Sequence, residues 1–388
     1  MDEFAAIRPY NDDEVAPVLA RLITDPTLLS MMTRYFFPRM AGPFGWALKP
    51  FISRQLRNEV NGINCVDQLQ NKVGGYVERT IAKATDGVEF SGLERLDSNL
   101  SHVFMANHRD IVMDPAFVNF ALHHAGHRVP RIAIGDNLLQ RPFVSDLMRL
   151  NKSFIVPRSV TGRREKLAAY LQLSAYINHS IRNDHESIWI AQAEGRAKDG
   201  NDRTDSAILK MLHMSRKDET FQQVISDLHI VPVSISYEYD PCDLAKAREL
   251  YTRATTGSYT KAPGEDDASI ALGITGYKGR VHIAFGEACL QVEEDPKQLA
   301  ARLDQAILGN YRLFPVHYLA YHQWAEKEPE LNVPSAESVF DESELNAAKA
   351  KWQARLEQCP DEHKPYLVQQ YAQPVLNQYR VKQGIALD

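Results

Sequence analysis

Between about residue 86 and residue 290, short apolar runs alternate with segments of helical periodicity. The runs at 88–92, 102–106, 131–134, 153–156, 187–191, 230–236 and 281–285 read as strands. Helical text stands between several of them, at 116–124, around 144–150 and from about 162 to 180. A strand that returns parallel to its neighbour needs a crossover of about a dozen residues, and a helix fills it. The alternation therefore predicts an α/β domain over 86–295, with a mainly parallel sheet covered by helices on both faces. A helical region over 1–85 precedes it, with a helix expected over 12–30, where Val15, Val18, Leu19, Leu22 and Ile23 share one stripe. Residues 296–388 read as a C-terminal helical region, with helices over 296–311, 344–357 and 366–381.

Composition narrows the class of partner. The chain has 388 residues, 44% hydrophobic and 24% charged, which suits one or two globular domains. A net charge of −6 argues against a nucleic-acid partner, which calls for a basic surface or arm. Cys65, Cys242, Cys289 and Cys359 are too scattered to pair as metal ligands and suggest free thiols in a reducing compartment. His123, His124 and His127 read as a solvated helix end rather than a metal site. The acidic start Met1-Asp-Glu-Phe lacks the build of a signal peptide, and no run reaches the roughly 18 to 20 apolar residues of a spanning helix. The expected location is cytoplasmic and peripheral, on the cytoplasmic face of a membrane. That expectation rests on residues 26–57, which hold no Asp or Glu. They carry Arg34, Arg39, Lys49, Arg54 and Arg57 interleaved with Tyr35, Phe36, Phe37, Phe44, Trp46 and Phe51. Cations for anionic headgroups and rings for the interface are what an anionic membrane surface selects. The competing reading is a helical hairpin whose cations are only solvated.

The candidate chemistry lies at strand ends, where α/β folds place it. Asn107-His108-Arg109-Asp110 follows the run at 102–106, and Asp114 precedes Pro115 at the start of a helix. A His beside a carboxylate is the minimal general base: the imidazole takes a proton, and the carboxylate fixes its tautomer and steadies the imidazolium. Asp114 and Asp110 are both candidate partners. Asp114 could instead be the N-cap of the following helix, with Pro115 at N1. Arg158 follows one strand, and Glu194-Gly195-Arg196 with Lys198 follows another. Arg158 has the alternative of a surface Arg near a turn, and Glu194 that of a capping or salt-bridged carboxylate.

Four blocks in this order resemble the glycerolipid acyltransferases, of both the glycerol-3-phosphate and the lysophosphatidic acid type. The resemblance covers about 88–290. Asn107-His108-Arg109 with a following Asp resembles the family's H-x-x-x-x-D block, with five residues rather than four between His108 and Asp114. Lys152-Ser-Phe-Ile-Val-Pro-Arg158 is similar to the second block, Glu194-Gly195-Arg196 to the third with its Arg one position early, and Ile230-Val-Pro-Val233 to the fourth. The resemblance implies transfer of a fatty acyl chain from acyl-CoA or an acyl-carrier protein, as co-substrate, to a hydroxyl of glycerol-3-phosphate or a lysophospholipid. No cofactor is implied. His108 would be the base, with Asp114 or Asp110 behind it. Arg109, Arg158, Glu194, Gly195, Arg196 and Lys198 would bind substrate, with Arg203 a further source of positive charge. An Arg is a planar fork for phosphate, and a Gly lets the backbone approach it closely. No Gly-x-Ser-x-Gly elbow suggests a covalent acyl-enzyme. His108-Arg-Asp110 also opens a kinase catalytic loop, but Pro115 stands where that loop needs Asn and no Asp-Phe-Gly follows. A non-catalytic lipid-binding protein on this fold, and transfer to an acceptor without phosphate, are the remaining alternatives.

Overall fold

The computed structural model describes residues 2–290 and 292–387. Gln291, together with Met1 and Asp388 at the ends of the expected terminal regions, lies outside the described residues, as does the side chain of Pro43. The chain opens with α1 (Asp12–Leu22), α2 (Pro26–Phe36), α3 (Ala41–Val60) and α4 (Val66–Ala84). It continues through β1 (Gly87–Ser91), β2 (Val103–Ala106), α5 (Met113–His124), β3 (Arg131–Gly135), α6 (Pro142–Leu150), β4 (Ser153–Val156) and α7 (Arg163–Arg182). Next come β5 (Ile188–Ala191), α8 (Ser206–His213), α9 (Phe221–Asp227), β6 (Val231–Tyr237), α10 (Asp243–Thr256), α11 (Glu265–Thr275) and β7 (Arg280–Phe285). The chain closes with α12 (Pro296–Gly309), α13 (Pro315–Gln323), α14 (Ala336–Val339), α15 (Glu342–Gln358) and α16 (Lys364–Lys382).

Two compact units result: Met1–Val77 with Pro130–Tyr176, and Glu78–Val129 with Ile177–Asp388. In the larger unit the strand order is β1-β7-β6-β2-β5. β1/β7, β2/β6 and β2/β5 are parallel, and β6/β7 is antiparallel. All four residues of β2 and all seven of β6 are buried, as central strands of such a sheet require. β1 alternates exposed and half-buried residues, as an edge strand does. In the smaller unit β3 and β4 pair in parallel, from Ile132↔Ser153 to Gly135↔Val156. The fold is α/β with a mainly parallel arrangement of strands and many helices, and each of the seven expected runs is a strand.

The helix expected over 12–30 is instead two helices. Asp25 caps α2, accepting from Thr27 N at 2.9 Å and Leu28 N at 2.7 Å, and Pro26 occupies its first turn. A proline there starts a helix but would break the interior of one. No single helix among the described residues is long and apolar enough to cross a membrane; α1 and α2 together reach that length and composition but are bent by 65°. The apolar stripe of α1 is buried with Leu69, Phe143 and Leu150. Asp146 of α6 anchors the same packing, bound by Tyr10 Oη at 2.7 Å and by two guanidinium nitrogens of Arg21 at 2.8 Å.

The C-terminal helices are built into the larger unit. Val316, Ala320, Trp352, Tyr371 and Val375 form one apolar cluster with Tyr239 and Ala247. Polar ties run on toward α10. Arg355 grips Asp243 through Nε at 2.5 Å and Nη2 at 2.6 Å, and Tyr371 Oη donates to the same carboxylate at 2.6 Å.

Candidate active site

β2 stops at Ala106 because the next side chain takes over the ladder. Asn107 Oδ1 accepts from Ile235 N at 2.7 Å, and its Nδ2 donates to Ile235 O at 3.0 Å. An amide side chain thus copies the pairing of a peptide, and the backbone is released to turn with His108 at the strand's end. His108 Nδ1 lies 2.8 Å from Asp114 Oδ2, and the ring stands edge-on to Trp189 at 5.7 Å. The His108 side chain is 15% exposed and that of Asp114 is fully buried.

The choice between the two carboxylates follows from the backbone. Asp110 Oδ1 accepts from Val112 N at 3.0 Å and Met113 N at 2.8 Å, so Asp110 caps the start of α5. That is the capping task the sequence offered to Asp114. Asp114 sits inside the first turn and points back under the loop. Its Oδ2 accepts from Arg109 N at 2.6 Å, Asp110 N at 2.9 Å and His108, and its Oδ1 accepts from Tyr237 Oη at 2.5 Å. Four donors on one buried carboxylate satisfy it as an anion, where an unpaired buried charge would be costly. Burial first, and then the Asp114 charge, raise the pKa of Asp110 above the ordinary carboxylate range. Asp110 also abuts α11: a methyl group at Gly273 would collide with its Oδ2.

Arg109 is buried, with Nη2 on Asp202 at 2.6 Å and its guanidinium 5.4 Å from the Tyr311 ring centre. Its carbonyl accepts from Lys246 Nζ at 2.8 Å, and Lys246 is also ion-paired with Asp240. Asp240 N in turn donates to Tyr371 Oη at 3.0 Å, so polar contacts run unbroken from α16 to the loop that carries His108. None of these partners stood out in the sequence. Nothing local marks Tyr237 as a partner of a residue 123 positions earlier.

The loop after β5 also reaches this loop, through Ala197 N donating to His108 O at 3.0 Å. Gly195 takes a left-handed conformation, φ 83°, which lets the chain reverse beside the exposed Glu194. Arg196 is half-buried, and its Nη1 is buried with no hydrogen-bond partner among the described residues. Lys198 pairs with Glu249 at 3.3 Å, and burial lowers its pKa. Arg203 is committed elsewhere, to Asp304 at 3.1 Å and to Leu387 O at 3.0 Å. Arg158 belongs to the smaller unit, where it follows β4 and its amide donates to Asp136 Oδ1 at 3.0 Å.

Residues 87–236 match the Acyltransferase family. Over this stretch the chain is similar to glycerolipid acyltransferases. The dihydroxyacetone phosphate acyltransferase of Bos taurus is 25% identical over 206 residues, 52% of this chain and 28% of that protein. The Homo sapiens protein of the same name is 25% identical over 154 residues, 39% of this chain and 22% of its own length. The chain thus spans under a third of the length of these relatives. Among solved structures, the 1-acyl-sn-glycerophosphate (LPA) acyltransferase PlsC from Thermotoga maritima aligns over 72% of this chain and 92% of its own, with 16% identity and a TM-score of 0.33. The matched residues run in sequence from β1 into β6 and include His108, Asp114, Arg158 and Glu194–Lys198.

The smaller unit carries a separate surface feature. α2 and α3 leave Tyr35, Phe36, Phe44, Trp46 and Phe51 in solvent, with Trp46 79% and Tyr35 73% exposed. Arg34, Arg39, Arg54 and Arg57 are exposed on the same two helices and the turn between them, and Lys49 is half-buried. Rings this exposed are left without the burial that normally stabilises an aromatic side chain.

Proposed function

We propose that this chain moves a fatty acyl group from a thioester, acyl-CoA or acyl-carrier protein, to a hydroxyl of a phosphate-bearing glycerol precursor. Glycerol-3-phosphate, a lysophospholipid and dihydroxyacetone phosphate, the acceptor in the relatives' name, are the candidate acceptors. The observation that carries the reading is the 2.8 Å contact of His108 Nδ1 with the fourfold-bonded Asp114, at a strand end inside the matched domain. With Nδ1 protonated and held by Asp114, Nε2 is the free basic nitrogen. It takes the acceptor's hydroxyl proton as the oxygen attacks the thioester carbonyl. The tetrahedral intermediate then expels the thiolate, which receives that proton back from the imidazolium. The new ester and the free thiol are the products, and no acyl-enzyme forms.

Two observations support the substrate class. Arg196, in the loop that touches His108, offers a buried nitrogen with no partner among the described residues, a donor suited to a phosphate oxygen. The aromatic and cationic surface of α2 and α3 would hold the protein as a peripheral enzyme on the anionic, cytoplasmic face of a membrane, where an acyl product partitions. An acceptor screen with one labelled acyl thioester, read by mass spectrometry of the lipid products, tests the proposal. An acylated phosphate-bearing glycerol is the expected product. Thioester consumption with none of these acceptors acylated would overturn the reading.

A further inference from the structure

Tyr237 is buried at the end of β6, and its hydroxyl is placed on the carboxylate behind the base. The structure assigns Tyr237 as a positioning residue for the reaction: it locks Asp114 from the far side so that one carboxylate oxygen stays on His108. This inference rests on the reading of His108 as the base.

Tyr237 ends β6, whose seven residues are all buried. Its Oη donates to Asp114 Oδ1 at 2.5 Å, while Oδ2 serves His108 and the amides of Arg109 and Asp110. The terminal torsion of an Asp is broad, so a carboxylate anchored through one oxygen can still rock about it. A donor on the opposite oxygen removes that freedom. The ring of Tyr237 is itself fixed, edge-on to Phe117 of α5 at 5.6 Å. Burial, followed by the charges of Asp114 and Asp110, raises its pKa well above the ordinary value, which keeps the hydroxyl a donor. A tyrosine needed only for packing would not have to place its oxygen on the buried carboxylate that holds His108.

The consequence is electrostatic as well as geometric. The donor disperses the charge of Asp114 and so tempers its pull on the imidazolium. Asp110 and Arg109 on the same loop, and Lys278 ahead of β7, also interact electrostatically with Asp114. Asp240, after β6, acts on Tyr237 and Arg109. None of these changes in Tyr237→Phe. Without the hydroxyl, Asp114 holds the imidazolium more tightly, and the acid limb of kcat/KM moves to higher pH by about 0.5 to 1 unit. Loss of the fixed geometry lowers kcat by roughly tenfold, with both substrate KM values unchanged.

The test compares wild type, Tyr237→Phe, Asp114→Asn, the double variant and His108→Ala by acyl-transfer pH profiles and thermal melts. Replacing Tyr237 by 3-fluorotyrosine, a near-isosteric and stronger donor, guards against a folding defect and should move the limb the other way. The expected result is a raised limb and a lower kcat in Tyr237→Phe, with no further loss when Asp114→Asn is already present. An unmoved limb in both Tyr237 variants, or a full Tyr237→Phe defect persisting beside Asp114→Asn, would overturn the proposal while leaving the base in place. Full activity in His108→Ala would instead remove the base, and Tyr237's role with it.

Discussion

Replacing Asp114 with Asn separates charge from shape at the centre of the site. The amide oxygen can still accept from His108 Nδ1 and from the amides of Arg109 and Asp110, which now share Asp114 Oδ2. The new NH2 faces Tyr237 Oη, which can turn to accept. Packing is preserved, but the negative charge is lost. An imidazolium next to a carboxylate at about 4 Å gains about 4 kcal/mol at the effective dielectric that suits protein sites. Losing that term as the base charges costs about a thousandfold in kcat. Asp110→Asn makes the control. Asp110 Oδ1 caps α5, and an amide oxygen serves Val112 N and Met113 N equally well. Its activity should stay within about threefold of wild type. The assay follows thiol release from an acyl thioester at saturating acceptor, with melting curves to check that both variants fold. A severe Asp110→Asn defect beside an Asp114→Asn enzyme within about tenfold of wild type would refute the assignment.

Other perturbations probe the remaining parts. Flotation with anionic liposomes should show binding that weakens with salt and drops when Arg34, Arg39 and Lys49 become Glu, since each cation near such a surface contributes about 1 kcal/mol. Equal binding to neutral liposomes at high salt would point to apolar insertion alone. Arg196→Gln should raise the acceptor's KM by about 10- to 100-fold and leave the thioester's KM unchanged, the loss of a charged hydrogen bond worth about 1.5 to 3 kcal/mol. Arg158→Lys should show the same signature, because a point charge replaces a bidentate fork; a defect confined to the thioester's KM would make Arg158 a donor-binding residue. Gly273→Ala would ordinarily favour a helix, but here it drives a methyl into Asp110 Oδ2, so destabilisation by about 1 to 3 kcal/mol in denaturant melts is expected.

Much of this architecture could be read directly from the chain, and for a physical reason. Buried strands such as β2 and β6 are short unbroken apolar runs bounded by polar turns, a signal that does not depend on distant residues. The helix boundary at Asp25-Pro26 was local too, yet an apolar stripe running through it outweighed the proline. The segments of α8 to α11 carry caps that are local, such as Asp205 and the Thr220–Gln223 pair, but no apolar stripe as plain as that of α1. At the site, His108 was legible because a strand end precedes it. The partner was not, because helical phase says nothing before α5 begins, and Asp110 and Asp114 differ only in where the loop folds. Arg109 reads in the sequence as a substrate ligand, but Asp202, 93 residues on, holds its guanidinium. Tyr237 and Lys246 reach the loop only through the sheet order and the packing of α10.

The central claim is that His108 takes the acceptor's proton, and the direct measurement is kcat/KM for acyl transfer by His108→Ala, made at a pH where the wild type is fully active and on protein whose melting curve matches it. Loss of a general base costs about 10²- to 10⁴-fold, and the deficit should shrink as pH rises and hydroxide or free alkoxide supplies the missing base. A His108→Ala enzyme within about threefold of wild type would contradict the account.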